Sequence, residues 1–178
     1  IPIQNKKGEN ELIVAAIPFL RDSDLRSIDE EVVYENRIEA IRKGIEATFT
    51  KAAKTSKDLY PELPVLAMGH LYAAGIESSD SERDIQIGNQ AAFQASQFGT
   101  EFSYVALGHI HKPQRVNAQI PTFYSGSPLP LSFSERKDEK RLLLIDTENG
   151  FEPESIAIPS FRKLIRINGS IAEIQQKL

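Results

Sequence analysis

The chain has no cysteine and no tryptophan, and only one methionine and three histidines in 178 residues. Without cysteine there is no disulfide framework, no thiol nucleophile and no thiolate metal site, and such usage fits a reducing cytoplasm. No apolar run approaches the roughly 20 residues that a membrane-spanning helix needs, and no signal peptide is visible. These features predict a soluble, cytoplasmic protein without a membrane partner. A basic excess is missing too: the formal net charge is −4, so a chain of this kind acting on DNA would need a partner or further segments to provide much of the grip. The sequence also lacks a Gly-rich phosphate loop ending in Lys-Ser/Thr, a Gly-x-Ser-x-Gly elbow and a dinucleotide fingerprint. It begins at Ile1 rather than at an initiator methionine, from which a piece of a longer chain is expected.

What is present is ordinary for a globular domain, with 40% hydrophobic and 26% charged residues. The length suits one full-sized domain and the start of a second. The chemistry concentrates in Tyr104-Val105-Ala106-Leu107-Gly108-His109-Ile110-His111-Lys112-Pro113-Gln114, a short apolar strand that runs into glycine and two histidines. In an extended segment residues i and i+2 point to one side, so His109 and His111 can aim at one point. The third histidine ends a near copy, Val65-Leu66-Ala67-Met68-Gly69-His70. Two buried strands ending in Gly-His would bring all three imidazoles to one rim of a sheet, where open α/β sheets commonly hold ligands. Three neutral imidazoles suit zinc, manganese, iron or nickel. With an open position they could activate water as a single-metal hydrolase or lyase. A two-metal phosphoesterase would need carboxylates besides, because histidines bring no negative charge to bridge two cations.

Along the chain, residues 1–4 and 11–17 are β-prone and separated by a polar turn, which predicts a hairpin. Ser27-Ile28-Asp29-Glu30 has the form of a capping box. A long helix should follow, with Tyr34, Ile38, Ile41, Ile45, Phe49 and Ala52 as its inward stripe and a basic, solvated opposite face. Residues 77–84 form a polar loop just beyond His70, and residues 85–98 are ambiguous between strand and short helix. The β runs at 114–116, 122–124, 141–146 and 154–158 are separated by turn residues, and an antiparallel sheet is expected there. Another strand is expected at 161–167, and then a helix capped by Ser170.

These motifs resemble a known family. Gly69-His70 and Gly108-His109-Ile110-His111 look like the last two motifs of the calcineurin-like metallophosphoesterases. The stretch from Tyr104 to Gln114, then Tyr124-Ser125-Gly126-Ser127-Pro128-Leu129-Pro130-Leu131-Ser132-Phe133, is similar to the SbcD-type exonucleases of that family. Ala15, Ile17-Pro18-Phe19-Leu20-Arg21, Ser79-Asp80 and Arg83-Asp84-Ile85 also fit them. The resemblance implies an α/β fold of the α+β kind, a β-sandwich flanked by helices, present as its C-terminal half in residues 1–160, with a capping domain starting in residues 161–178. It implies two divalent metal ions, usually manganese, that activate water against DNA phosphodiesters, His70 and His109 binding one ion and His111 the other. It also implies an SbcC-like ATPase partner, trimming of double-stranded ends from 3′ to 5′, hairpin opening, a role in DNA repair and recombination, and a homodimer in the intact protein. The family's earlier motifs, Asp-x-His, Gly-Asp-x-x-Asp and Gly-Asn-His-Asp, need histidines that this chain has already used. The fragment alone is therefore expected to be inactive, with no catalytic residue of its own. No substrate-binding residue is assigned; Ser127 and Arg83 are considered near substrate, and backbone geometry explains the Ser-Gly-Ser-Pro turn. Two other readings are a non-catalytic interaction module and a self-contained three-histidine mononuclear hydrolase.

Overall fold

The structure is a computed structural model that describes residues 1–25, 37–82 and 92–177. The capping box at Ser27–Glu30, Tyr34 and Arg83-Asp84-Ile85 lie outside them.

The hairpin forms as expected. Strands β1 (Pro2–Gln4) and β2 (Asn10–Ala16) pair antiparallel, and the Asn5 carboxamide oxygen accepts the Lys7 and Glu9 amides at 2.9 and 3.1 Å to close the turn. A short helix α1 (Asp22–Leu25) precedes the long helix α2 (Arg37–Leu59), whose buried stripe is Ile41, Gly44, Ile45, Phe49, Ala53 and Ser56. Its recurrence at three and four residues keeps one face inward, while Lys43, Lys51 and Lys54 stay exposed. Strands β3 (Val65–His70) and β4 (Tyr104–Gly108) are parallel to β2 and to each other.

After β4 the structure departs from the expected antiparallel sheet. Strand β5 (Gln114–Arg115) returns antiparallel on β6 (Thr122–Tyr124), but β6 joins the main sheet parallel to β4. The result is one six-stranded mixed sheet in the order β1-β2-β3-β4-β6-β5. All three residues of β6 are buried, the signature of an inner strand rather than of a half-solvated meander. Only β7 (Arg141–Leu144) and β8 (Glu154–Ala157) form a separate antiparallel ladder. The fold is thus mixed α/β with two sheets of unequal size. The strand expected at 161–167 does not form; Phe161 and Ile165 stand 87% and 68% exposed. Helix α3 (Ile171–Lys177) follows, and Ser170 caps it: the Glu173 amide donates to its hydroxyl, while its own amide donates to the Glu173 carboxylate at 2.7 Å.

The core lies between α2 and the sheet. Phe49 meets Phe93, Phe98 and Phe102 with ring centroids 4.9 to 6.2 Å apart. Phe98 belongs to a 3-10 turn (Ala95–Phe98), the described end of the stretch whose type periodicity left undecided. This aromatic packing supports the C-terminal ends of β3 and β4 from beneath.

Candidate metal centre

His70 sits at the C-terminal end of β3 and His109 just past that of β4, and the glycine before each has a steric reason. A Cβ on Gly69 would stand 2.7 Å from the Phe49 ring, so glycine lets α2 press onto β3. A Cβ on Gly108 would stand 3.1 Å from His70 Nδ1, because the register sets His70 opposite Gly108. That gap lets the His70 and His109 rings approach edge to face, with centroids 5.4 Å apart. Phe19 flanks His70 at 5.7 Å, and Tyr72 flanks His109 at 6.3 Å.

The two rings differ in exposure. His109 is 8% exposed. His70 lies open as a residue, yet its ring is shielded enough that desolvation lowers its pKa, and the nearby His111 lowers it further. Both effects favour neutral imidazole, the form that binds a metal. The expected extended His-x-His segment is not what forms. β4 ends at Gly108 and His109 takes φ 106°, so Ile110 turns into the core at 2% exposure. His111 then enters a different environment. Among the described residues, no three histidine or carboxylate side chains gather closely enough to hold one ion.

His111 is held by polar contacts. Its amide donates to Glu82 Oε1 at 2.7 Å, and its carbonyl accepts from the Ser127 amide and from Lys140 Nζ, both at 3.1 Å. Its Nδ1 lies 2.8 Å from Ser81 Oγ and 3.2 Å from Glu135 Oε1. Glu135 is fully buried in the 3-10 turn Phe133–Glu135. It accepts from Lys140 Nζ at 2.6 Å, Ser127 Oγ at 3.1 Å and the Leu131 amide at 3.2 Å, and it takes a short bond from the Ser81 hydroxyl. Burial by itself pushes the Glu135 carboxyl up, but Lys140, Ser81, the Leu131 amide and His111 together hold it down at about 2. The polar loop thus folds over His111 and contributes Ser81 and Glu82. Ser127 proves internal at 8% exposure, while Arg83 lies outside the described residues. Tyr124 on β6 secures the other side of the rim, its hydroxyl donating to the Leu71 carbonyl at 2.7 Å and accepting from the Ala73 amide at 3.0 Å.

Sequence reasoning did not single out Glu135, Lys140, Ser81 or Glu82. The run Ser132-Phe133-Ser134-Glu135-Arg136-Lys137-Asp138-Glu139-Lys140 mixes charges of both signs, the composition of solvated surface. The available signal was position, since Glu135 lies two residues past the motif ending at Phe133.

No family model matches the chain. Curated relatives do. The chain is 33% identical over 168 residues to the SbcD component of the SbcCD nuclease of Rhodobacter capsulatus, covering 94% of this chain and 41% of that one. It is 32% identical over 185 residues to the SbcD component of the Escherichia coli (strain K12) nuclease, covering 99% and 45%. The corresponding protein of Bacillus subtilis is 36% identical over 104 residues, covering 57% and 27%. The chain therefore spans less than half the length of the curated relatives it matches.

Proposed function

The chain matches a part of SbcD, a component of the SbcCD nucleases, and from that premise we infer that it contributes the histidine side of a two-metal centre that hydrolyses DNA phosphodiesters. The observation that carries the reading is the juxtaposition of His70 and His109 at the ends of adjacent parallel strands, with ring centroids 5.4 Å apart. The donor set fits divalent manganese or a similar cation in kind. His70 and His109 would hold one ion and His111 the other, while carboxylates from outside these residues would bridge them. When bound, such ions activate water and offset charge on the phosphodiester. This chain's own residues orient the ligands: α2 and Phe49 set the height of the β3 end, and Glu82, Ser81, Glu135 and Lys140 fix His111. The net charge of −4 is consistent with DNA being gripped with help from an SbcC-like ATPase and from a capping domain that begins at residues 161–178. Repair and recombination of DNA ends, by 3′ to 5′ trimming and hairpin opening, is the corresponding role, and the intact protein is a homodimer.

The 178 residues by themselves do not cut DNA: the two carboxylates beside His111, Glu82 and Glu135, are taken up by the His111 amide and by Lys140, Ser127 and the Leu131 amide, which leaves neither to bridge two ions. A self-contained three-histidine centre is the weaker reading, since the described residues do not close around one ion. A contact role coexists with the nuclease reading: Leu142, Leu144 and Ile156 on one face of the β7–β8 ladder are 58, 54 and 42% exposed, an apolar face suited to a protein neighbour.

Manganese calorimetry on the chain and on His109→Ala, paired with a cleavage assay on a labelled DNA duplex, tests the proposal. Expected are weak binding, further weakened in the variant, and no cleavage. Manganese-dependent cleavage, or one tightly held ion that His109→Ala abolishes, would replace the half-site reading with the mononuclear one.

A further inference from the structure

Glu135 is the most heavily coordinated polar group described above, and none of the histidine motifs accounts for it. A carboxylate at 0% exposure costs several kcal/mol of desolvation unless it is paired. Here Lys140, itself 7% exposed, pairs with it at 2.6 Å. On its other oxygen, Oε1, Glu135 meets Ser81 and His111 Nδ1, and counting protons shows what these contacts do.

The ionised carboxylate of Glu135 can only accept. The Ser81 hydroxyl has one proton and three neighbours: Ser79 Oγ at 2.8 Å, which can itself donate, His111 Nδ1, and Glu135 Oε1, which can only accept and therefore takes the proton. The Ser81 oxygen that faces His111 Nδ1 at 2.8 Å therefore has only lone pairs to offer. Both neighbours of Nδ1, Ser81 Oγ and Glu135 Oε1, are acceptors, so Nδ1 must carry the hydrogen. In a neutral imidazole that leaves the lone pair on Nε2. The His111 amide and carbonyl are already engaged by Glu82, Ser127 and Lys140, so the residue is fixed in both position and tautomer. A ligating histidine whose other nitrogen donates to a carboxylate is oriented in this way at many metal sites.

We propose that Glu135 is a positioning residue: its buried carboxylate, directly and through Ser81, holds His111 in the Nδ1–H form and presents Nε2 bare to a divalent transition cation. Lys140 is the counterion that keeps the carboxylate buried and ionised. The cation's presence at Nε2 rests on the metal-centre reading above; the tautomer does not.

The test is long-range nitrogen–proton NMR on the metal-free chain labelled at its three histidines, at a pH about two units above the ordinary histidine value of about 6.5. A His111→Gln sample identifies the ring. Expected is a protonated Nδ1 and a bare Nε2 in the wild type. The same pattern should persist in Gly69→Ala, which disturbs packing at the end of β3 and leaves the ion pair intact, and be lost in Glu135→Leu/Lys140→Met, which replaces both buried charges by apolar groups. Wild-type His111 in the Nε2–H form overturns the proposal whether or not the double variant folds. A change in Gly69→Ala as large as in the double variant also overturns it, because the effect would then be general disruption of packing. Titration with zinc separates the two readings. A Nδ1–H ring that zinc never perturbs supports the positioning alone, because the ion assigned to His111 takes its other ligands from outside these residues. A zinc-perturbed ring that begins as Nε2–H keeps the metal centre and removes the positioning.

Discussion

The ends of β3 and β4 are near copies in sequence and opposites in environment. Val65-Leu66-Ala67-Met68-Gly69-His70 and Tyr104-Val105-Ala106-Leu107-Gly108-His109 align without a gap, yet the sheet pairs them one residue out of that alignment, so His70 faces Gly108. A shift of one residue exchanges the faces of a strand. Accordingly Met68 is 51% exposed where Leu107 is 5% exposed, and His70 lies open while His109 is buried. Past this point the means of support also divide. The His70 ring is placed by a strand end, a glycine gap and aromatic edges, and among the described residues no hydrogen bond holds it. His111 is placed by hydrogen bonds and one buried ion pair. Packing of the first kind yields gradually when disturbed; a buried charge network fails abruptly when one member is removed.

The largest effect is expected on the polar side. Glu135→Leu with Lys140 intact leaves a buried ammonium without its carboxylate and should cost about 3–5 kcal/mol in urea unfolding. Acid should show the same group. The folded-state pKa of Glu135 is lowered to about 2, against about 4.3 for an unperturbed glutamate. A depressed carboxylate stabilises the fold above the unfolded value, and that contribution is lost as pH falls from about 4.3 to about 2. Wild type should lose stability across this window and Glu135→Leu should lose less. Equal acid limbs would show that the network around His111 is not what acid dissolves, and the contrast between the two strand ends would fail.

The next effect separates the two glycines. In Gly69→Ala the new methyl meets the ring of Phe49, which is 0% exposed and enclosed by three other phenylalanines. Overpacking of this kind typically costs about 1–3 kcal/mol. In Gly108→Ala the methyl meets His70 Nδ1 at 3.1 Å, and a ring at the rim can move aside. Gly108→Ala should therefore retain more of the wild-type stability in urea while shifting the His70 ring resonances. If Gly108→Ala is the more destabilised of the two, the His70 end is as tightly packed as the core and the distinction drawn here is wrong.

Much of the main sheet was legible because its signals are local. The hairpin, the α2 stripe and the two strand-Gly-His endings follow from alternation, 3.6-residue periodicity and a breaker residue, all within a dozen positions. The doubled strand-Gly-His pattern put the three histidines forward as a set, and the resemblance then divided them between two ions. What could not be read was pairing: nothing in Thr122-Phe123-Tyr124 distinguishes an inner parallel strand from a meander, and the one-residue offset of β3 against β4 arises from the whole sheet. The Glu135–Lys140 pair was hidden for a related reason. A charged run with Arg136, Lys137, Asp138 and Glu139 has the composition of solvated surface, and only the tertiary fold shows that two of its members turn inward against Ser81 and His111.

The smallest effect is expected from the charge nearest His111 in sequence. Lys112 pairs with Glu77 across the same polar loop, with side chains 41% and 74% exposed. The pair draws the Glu77 carboxyl below its usual range, chiefly through the hydrogen bond to Lys112. In water such a contact gains little over solvation and is screened by salt. Loop 77–82 is in any case tied down independently, by Gln114 donating to the Glu77 carbonyl at 2.7 Å and by Glu82 accepting the His111 amide. Lys112→Ala should leave the urea midpoint indistinguishable from wild type and the His111 ring in its original tautomer. The neighbouring lysine would then be dispensable for stability while Lys140, 29 residues from His111 in sequence, is not. A Lys112→Ala protein with a lowered midpoint that high salt reproduces in wild type would mean that exposed charge, rather than the buried carboxylate, holds this end of the rim.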